Sequence, residues 1–151
     1  MALSKEELRL LLSNEEPNYP EIAAKIDADS IPALDALSTD ADIMTATKAV
    51  YLASLLPNTK AHAVVTKASK SSNALLKIAS ASALVNLPDA TKHKIAEKLI
   101  TDADVSVQKL VINSVQTTAS SKLKEQIKAL STDSPSQFIK SISLEKLVKI
   151  N

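Results

Sequence analysis

Thr101-Asp102-Ala103-Asp104 repeats Thr39-Asp40-Ala41-Asp42 at a shift of 62, and half that shift recurs through the 151-residue chain. Thr132-Asp133 stands a further 31 beyond Thr101. Leu56-Pro57-Asn58 and Leu87-Pro88-Asp89 are 31 apart, as are His62 and His93. One fixed period of roughly 20 to 50 residues is the mark of a stacked array, in which each unit rests on its neighbours. Each period reads as two helices. The Thr-Asp punctuation offers side-chain oxygens to the free N–H groups of a helix start, and Pro57 and Pro88 end the first helices because proline has no N–H to donate. The spacing predicts first helices over 42–56, 72–87 and 104–117, and second helices over 59–69, 89–100 and 120–131. In the second helices Val64, Ile95 and Gln126 share a register, then Val65, Ala96 and Ile127, then Ala68, Leu99 and Leu130. Positions three and four apart fall on one face, so each helix has a single apolar stripe.

The array extends in both directions. Residues 30–38 repeat the second-helix pattern with Ile31, Leu34 and Leu37 on the stripe, and 20–27 form the helix before them. The units are then 19–38, 39–69, 70–100 and 101–131. Residues 1–18 supply a capping helix and linker, and 132–151 a closing helix. Because the first helix lies outside the period, removal of residues 1–14 is expected to leave a folded protein. Ala46, Ala49 and Ala53, and again Ala79, Ala81 and Ala83, let neighbouring first helices approach closely. A lone helix pair buries too little surface to offset the entropy of ordering it, so the units must stack. The expected fold is all-α: one right-handed solenoid of about four two-helix units. Tyr19, Tyr51 and Phe138 are the only aromatics and are expected as core fillers, Phe138 sharing a register with Thr45, Leu76 and Val107.

What the chain lacks narrows its chemistry. It has no glycine, which excludes a P-loop, a dinucleotide fingerprint, a nucleophile elbow and an EF-hand loop. It has no cysteine, which excludes disulfides, thiolate zinc sites and thiol nucleophiles. No apolar run reaches the length of a membrane span, and two glutamates, Glu6 and Glu7, stand where a signal peptide would be basic and apolar. The cytoplasm is the expected compartment, with no membrane partner.

The repeats resemble those of the HEAT-like α-solenoids, in particular the short bacterial type named after phycobilisome lyases. Leu76-Lys77-Ile78-Ala79 and Val107-Gln108-Lys109-Leu110 occupy that family's apolar-basic step, and Ala83-Leu84 and Ser114-Val115 its Ala-Leu step. The resemblance covers about residues 20–151. It implies a superhelix whose second helices line a concave face, and a binding module. Members of the family include lyase subunits that handle tetrapyrroles and glycosylases that grip DNA.

Charge is unevenly spread. Residues 1–45 hold ten carboxylates and three cations, whereas 46–151 hold seven carboxylates and fifteen lysines, so a net charge of +1 conceals −7 and +8. The second helices carry Lys60, Lys67, Lys92, Lys94, Lys98, Lys122, Lys124 and Lys128. The candidate partner-binding strip is Lys60, Lys67, Lys94, Lys98, Lys124 and Lys128, flanked by His62 and His93, and it suits an acidic protein surface. Nucleic acid ranks second. The lysines could follow phosphates, but these helices have no arginine and no aromatic platform for bases. A lyase-like subunit of a larger enzyme is a further alternative. No catalytic residue, metal or cofactor is expected. His62 and His93 lack the third ligand a metal needs, and the Asp-x-Asp pairs sit where helices begin, where carboxylates complement the helix dipole.

Overall fold

The structure is a computed structural model that describes residues 2–150; Met1 and Asn151, the outer limits of the two predicted capping segments, lie outside the described residues. Among the described residues the protein consists of α-helices, two short 3₁₀ turns and no strand, so it is all-α. Packing divides it into two compact units that part between Leu87 and Pro88. The first unit contains α1 (Lys5–Leu11), α2 (Tyr19–Ala24), a 3₁₀ turn (Ala28–Ser30), α3 (Ile31–Leu37), α4 (Ile43–Ser54), α5 (Thr59–Ser69), α6 (Ala74–Ala83) and a second 3₁₀ turn (Leu84–Asn86). The second unit contains α7 (Asp89–Leu99), α8 (Val105–Ser114), α9 (Ser121–Asp133) and α10 (Gln137–Lys149).

Helix starts follow the capping residues. Asp42, Asn73 and Asp104, each one period after the last, accept from the N–H groups of Met44, Leu75 and Ser106 at 3.2, 2.9 and 2.8 Å. Asn58 and Ser120 cap α5 and α9 in the same manner. Helix ends are closed by serine. Ser38, Ser54, Ser69, Ser114 and Ser131 are buried at the last turns, and each hydroxyl donates at 2.6 Å to the carbonyl three residues back. Carbonyls left over at a helix end are satisfied that way without a change of backbone hand.

Two helices stop earlier than the spacing predicts. Helix α6 tightens into a 3₁₀ turn after Ala83, and Asn86 then reaches back to donate to the Ser54 hydroxyl at 3.0 Å. Helix α8 ends at Ser114, where Val115 becomes extended. Phe138 is a clearer correction. It is 49% exposed, not a core filler, and the Lys109 ammonium lies 5.8 Å from its ring centre. Pro135 occupies the position of the three period-related caps, and Ser136 caps α10 one residue later. The inner position then falls to Ile139, which is fully buried, and Phe138 moves to the outer position that Met44 and Leu75 hold on α4 and α6. Tyr19 and Tyr51 do pack, edge to face at 4.9 Å, joining α2 to α4.

The core of the first unit is aliphatic and small. Ala46, Ala49, Ala53, Ala81 and Ala83 are buried where α4 and α6 meet, beside Val50, Leu52 and Leu84. Helix α1 packs against this core. Leu8 and Leu12 are buried, and α1 packs on α3. Arg9, the sole arginine, grips the Asp40 carboxylate with two hydrogen bonds of 2.8 and 2.9 Å. Lys48 on α4 donates to the carbonyls of Leu12 and Asn14 at 3.1 and 2.7 Å, closing the end of α1 with a cation where the helix dipole is negative.

Leu8→Ala is therefore expected to cost about 2–5 kcal/mol in denaturant unfolding, the range of buried large-to-small changes, and removal of residues 1–14 is expected to destabilise the first unit. Arg9 holds the Asp40 carboxyl down to about 2, through its hydrogen bonds first and assisted by the Asp42 N–H. A carboxyl lowered in the folded state stabilises above its ordinary range and ceases to as pH falls through its folded value. The Arg9→Met variant is expected to melt below the native protein near neutrality. Thermal melts across the acid range should show that gap closing between about pH 4 and pH 2.

Candidate functional site

In the first unit the 3₁₀ turn and α3 run beside α5, and the contact leaves an open groove of about 450 Å³. Ala28, Ile31, Pro32 and Ala63 give it apolar walls, and Asp35, Lys60 and Lys67 supply its charge. Each helix comes by its groove-facing residues for a local reason. Pro32 suits the first turn of α3, where its missing N–H is no loss. Lys60 and Lys67 lie two turns apart on α5, at one edge of the stripe of buried Val64, Val65 and Ala68.

Two residues of the candidate strip, Lys60 and Lys67, thus line one groove. Lys60 is exposed. Lys67 is tied to Asp35 across it by an ion pair of 2.5 Å, with both side chains about half exposed. His62 is half-buried, its Nε2 donating to the Leu56 carbonyl at 2.7 Å. Asp35 is the charged groove residue that the sequence reading missed. The available signal was an acid on one second helix and a base on the next, close to one period away.

In the second unit Lys94 and Lys98 are exposed one turn apart on α7, and Lys124 and Lys128 lie one turn apart on α9, Lys124 half-buried and Lys128 exposed. The two helices pack together. Glu97 joins them, accepting from the Ser120 hydroxyl at 3.0 Å through its carboxylate and from the Gln126 amide at 2.9 Å through its carbonyl. The ring Nε2 of His93 is buried and has no hydrogen-bond partner among the described residues. Lys92 differs from its neighbours: only 7% of it is accessible, and its ammonium lies 3.9 Å from Asp89. Lys92 is a packing residue. Burial pushes the Lys146 ammonium on α10 below the usual lysine range, and the nearby Lys149 adds to that shift. Lys146 also donates to the Val115 carbonyl at the end of α8.

The Asp-x-Asp sequences serve the backbone. Asp40 and Asp102 accept from the N–H groups of Asp42 and Asp104 at 3.1 and 2.9 Å, while Asp42 and Asp104 cap the helices that follow. Among the described residues no three histidine or acidic side chains converge as metal ligands would, and no helix is long and apolar enough to cross a membrane.

With that geometry the protein falls in the class of all-helical proteins. No protein-family model and no curated protein matches the sequence. Among solved structures it is similar to an engineered protein crystallised by the Northeast Structural Genomics Consortium, with 19% identity and a TM-score of 0.54 over 96% of this chain and 78% of that one. At that identity the likeness is one of fold.

The Lys67–Asp35 pair borders the groove in solvent, so it contributes little to folding. A double-mutant cycle with Lys67→Ala and Asp35→Ala, read by chemical unfolding, is expected to give a coupling below about 1 kcal/mol.

Proposed function

We propose that this chain is a non-catalytic, cytoplasmic binding or adaptor module of the HEAT-like repeat type, its two-helix units stacked as a right-handed solenoid, and that its second helices receive an acidic protein surface. The observation that carries the reading is the groove between α3 and α5, apolar on its walls and bordered by Lys60 and Lys67. Apolar walls supply contact energy, and lysines at the border steer an acidic partner and set its orientation. The equal spacing of the caps Asp42, Asn73 and Asp104 supports the repeat. Exposed Lys94, Lys98 and Lys128 extend the same chemistry to the second helices of the second unit.

Three exposed lysines test it: Lys60→Glu, Lys98→Glu and Lys128→Glu in one chain. Surface charge reversals away from the core should leave the melting temperature within a few degrees of native. Partner capture is expected to fall at least tenfold, chiefly through slower association, with the native interaction weakening as salt rises. Unchanged capture would leave the lysines a solvated face. Binding to duplex DNA of any sequence, with a steep logarithmic loss on added salt, would reassign them to phosphate.

A further inference from the structure

The α3–α5 groove is lined by three charged side chains, and two of them already hold each other. Lys60 is exposed and makes none of the ion pairs found among the described residues. Lys67, seven residues on, lies about 10 Å further along the helix at 1.5 Å per residue. Its ammonium is 2.5 Å from an Asp35 carboxylate oxygen, so a second carboxylate brought to Lys67 would stand beside Asp35 as well. Attraction and repulsion there come close to cancelling. The groove therefore has a cationic end at Lys60 and a neutral end at the pair, with Ile31, Pro32 and Ala63 among its apolar walls. Asp35 contributes little to the fold, since it is exposed on α3 and a pair half open to water adds little stability. The neighbouring acids lie outside the groove lining: Asp27 accepts from the Ser30 hydroxyl at 3.0 Å, and Asp29 is exposed on the 3₁₀ turn.

We propose that Asp35 sets the specificity of this groove, which admits a polypeptide segment with one carboxylate beside an apolar side chain and turns away runs of negative charge. This rests on the α3–α5 groove being where a partner binds. The bound carboxylate meets Lys60, and the apolar side chain lies on Pro32 and Ala63. A segment acidic along its whole length would have to set a further carboxylate at Lys67, next to Asp35, and like charges brought together are a means of rejecting the wrong partner. The shape and walls of the groove favour polypeptide as the occupant. Small-molecule sites bury most of their ligand, whereas this groove is open along one side. A phosphate chain has no apolar group to set on the walls, and its repeated charges would reach Asp35.

Two fluorescent synthetic peptides test this against the full chain, read by polarisation at low salt. One has a single glutamate beside two leucines in an otherwise serine sequence; the other has glutamate at every serine position. Asp35→Asn is expected to tighten the glutamate-rich peptide about three- to fivefold, the scale of one solvated charge pair, and to leave the single-glutamate peptide within about twofold of native. Adding Lys67→Met to Asp35→Asn restores the native net charge and should cancel that gain, because the gain acts through the released ammonium. Both positions are exposed, and circular dichroism should show unchanged helicity. Ala63→Gln fills the groove without altering its charge and is expected to weaken both peptides about tenfold or more. Asp35→Asn that tightens both peptides equally, or neither, overturns the role of Asp35, as does a gain that survives Lys67→Met; the groove then still stands as the binding site if Ala63→Gln weakens both peptides. A native chain that binds neither peptide, or an Ala63→Gln variant that binds both like the native chain, overturns the groove itself and the inference with it.

Discussion

This chain has no glycine, and its described residues end helices and turn between them without any left-handed backbone, a restriction on which the rest of the fold depends. Helices commonly stop on a glycine of positive φ, which turns the chain and satisfies the last carbonyls. Here no described residue has positive φ. The last turns instead pass into right-handed or extended backbone at residues such as Leu55, Ile100 and Val115. Buried serines take over the second task. Ser38, Ser69 and Ser131, in the last turns of α3, α5 and α9, return their hydroxyls to the chain by the same 2.6 Å bond. Side-chain caps then restart most of the helices, from Ser4 to Ser136, while α3 and α7 begin at a proline in the first turn or at the cap. Helices that end and begin by such local bonds need only short connections.

That economy is why so much of the fold was legible. Caps, proline stops and apolar stripes are local features, and they placed α5 at 59–69 as observed, with α7 within a residue of its end. Misreadings arose where one local feature displaced another. Pro135 took the cap position, and a shift of one residue carried Phe138 to the surface and Ile139 to the core. The contacts of α1 are a different case. Its sequence lies outside the period, and only its three-dimensional neighbours, Asp40 and Lys48, reveal it as part of the core. The candidate groove was half legible for the same reason: Lys60 and Lys67 were visible as charges on one helix, whereas Asp35, Pro32 and Ala63 meet them only when α3 lies beside α5.

Charge in this protein is divided among tasks that composition cannot separate. In the acidic N-terminal third, Asp40 receives the one arginine and holds the N–H of Asp42, so a single carboxylate joins α1 to the start of α4. Asp42 and Asp104 serve helix starts. These carboxylates are committed to the backbone, and a count of ten acids before residue 46 overstates the negative surface that a partner would meet.

The lysines need the same sorting, and it changes what the basic excess means. Lys48 and Lys146 donate to carbonyls where α1 and α8 end, Lys92 is buried along its stem, and Lys67 is paired with Asp35. A lysine whose ammonium already has a partner attracts an incoming acid less, because the new contact must first displace the old one. Lys60, Lys94, Lys98 and Lys128 are exposed without being held in this way by the contacts described. Recognition of an acidic surface would therefore fall on a few positions of α5, α7 and α9 and not on the whole basic two-thirds of the chain. Lys60 stands apart within that set, because it adjoins the apolar walls of the α3–α5 groove. A charge beside an apolar groove can both steer a partner and remain in contact once the groove is filled, whereas a charge on an open helix face mainly affects encounter.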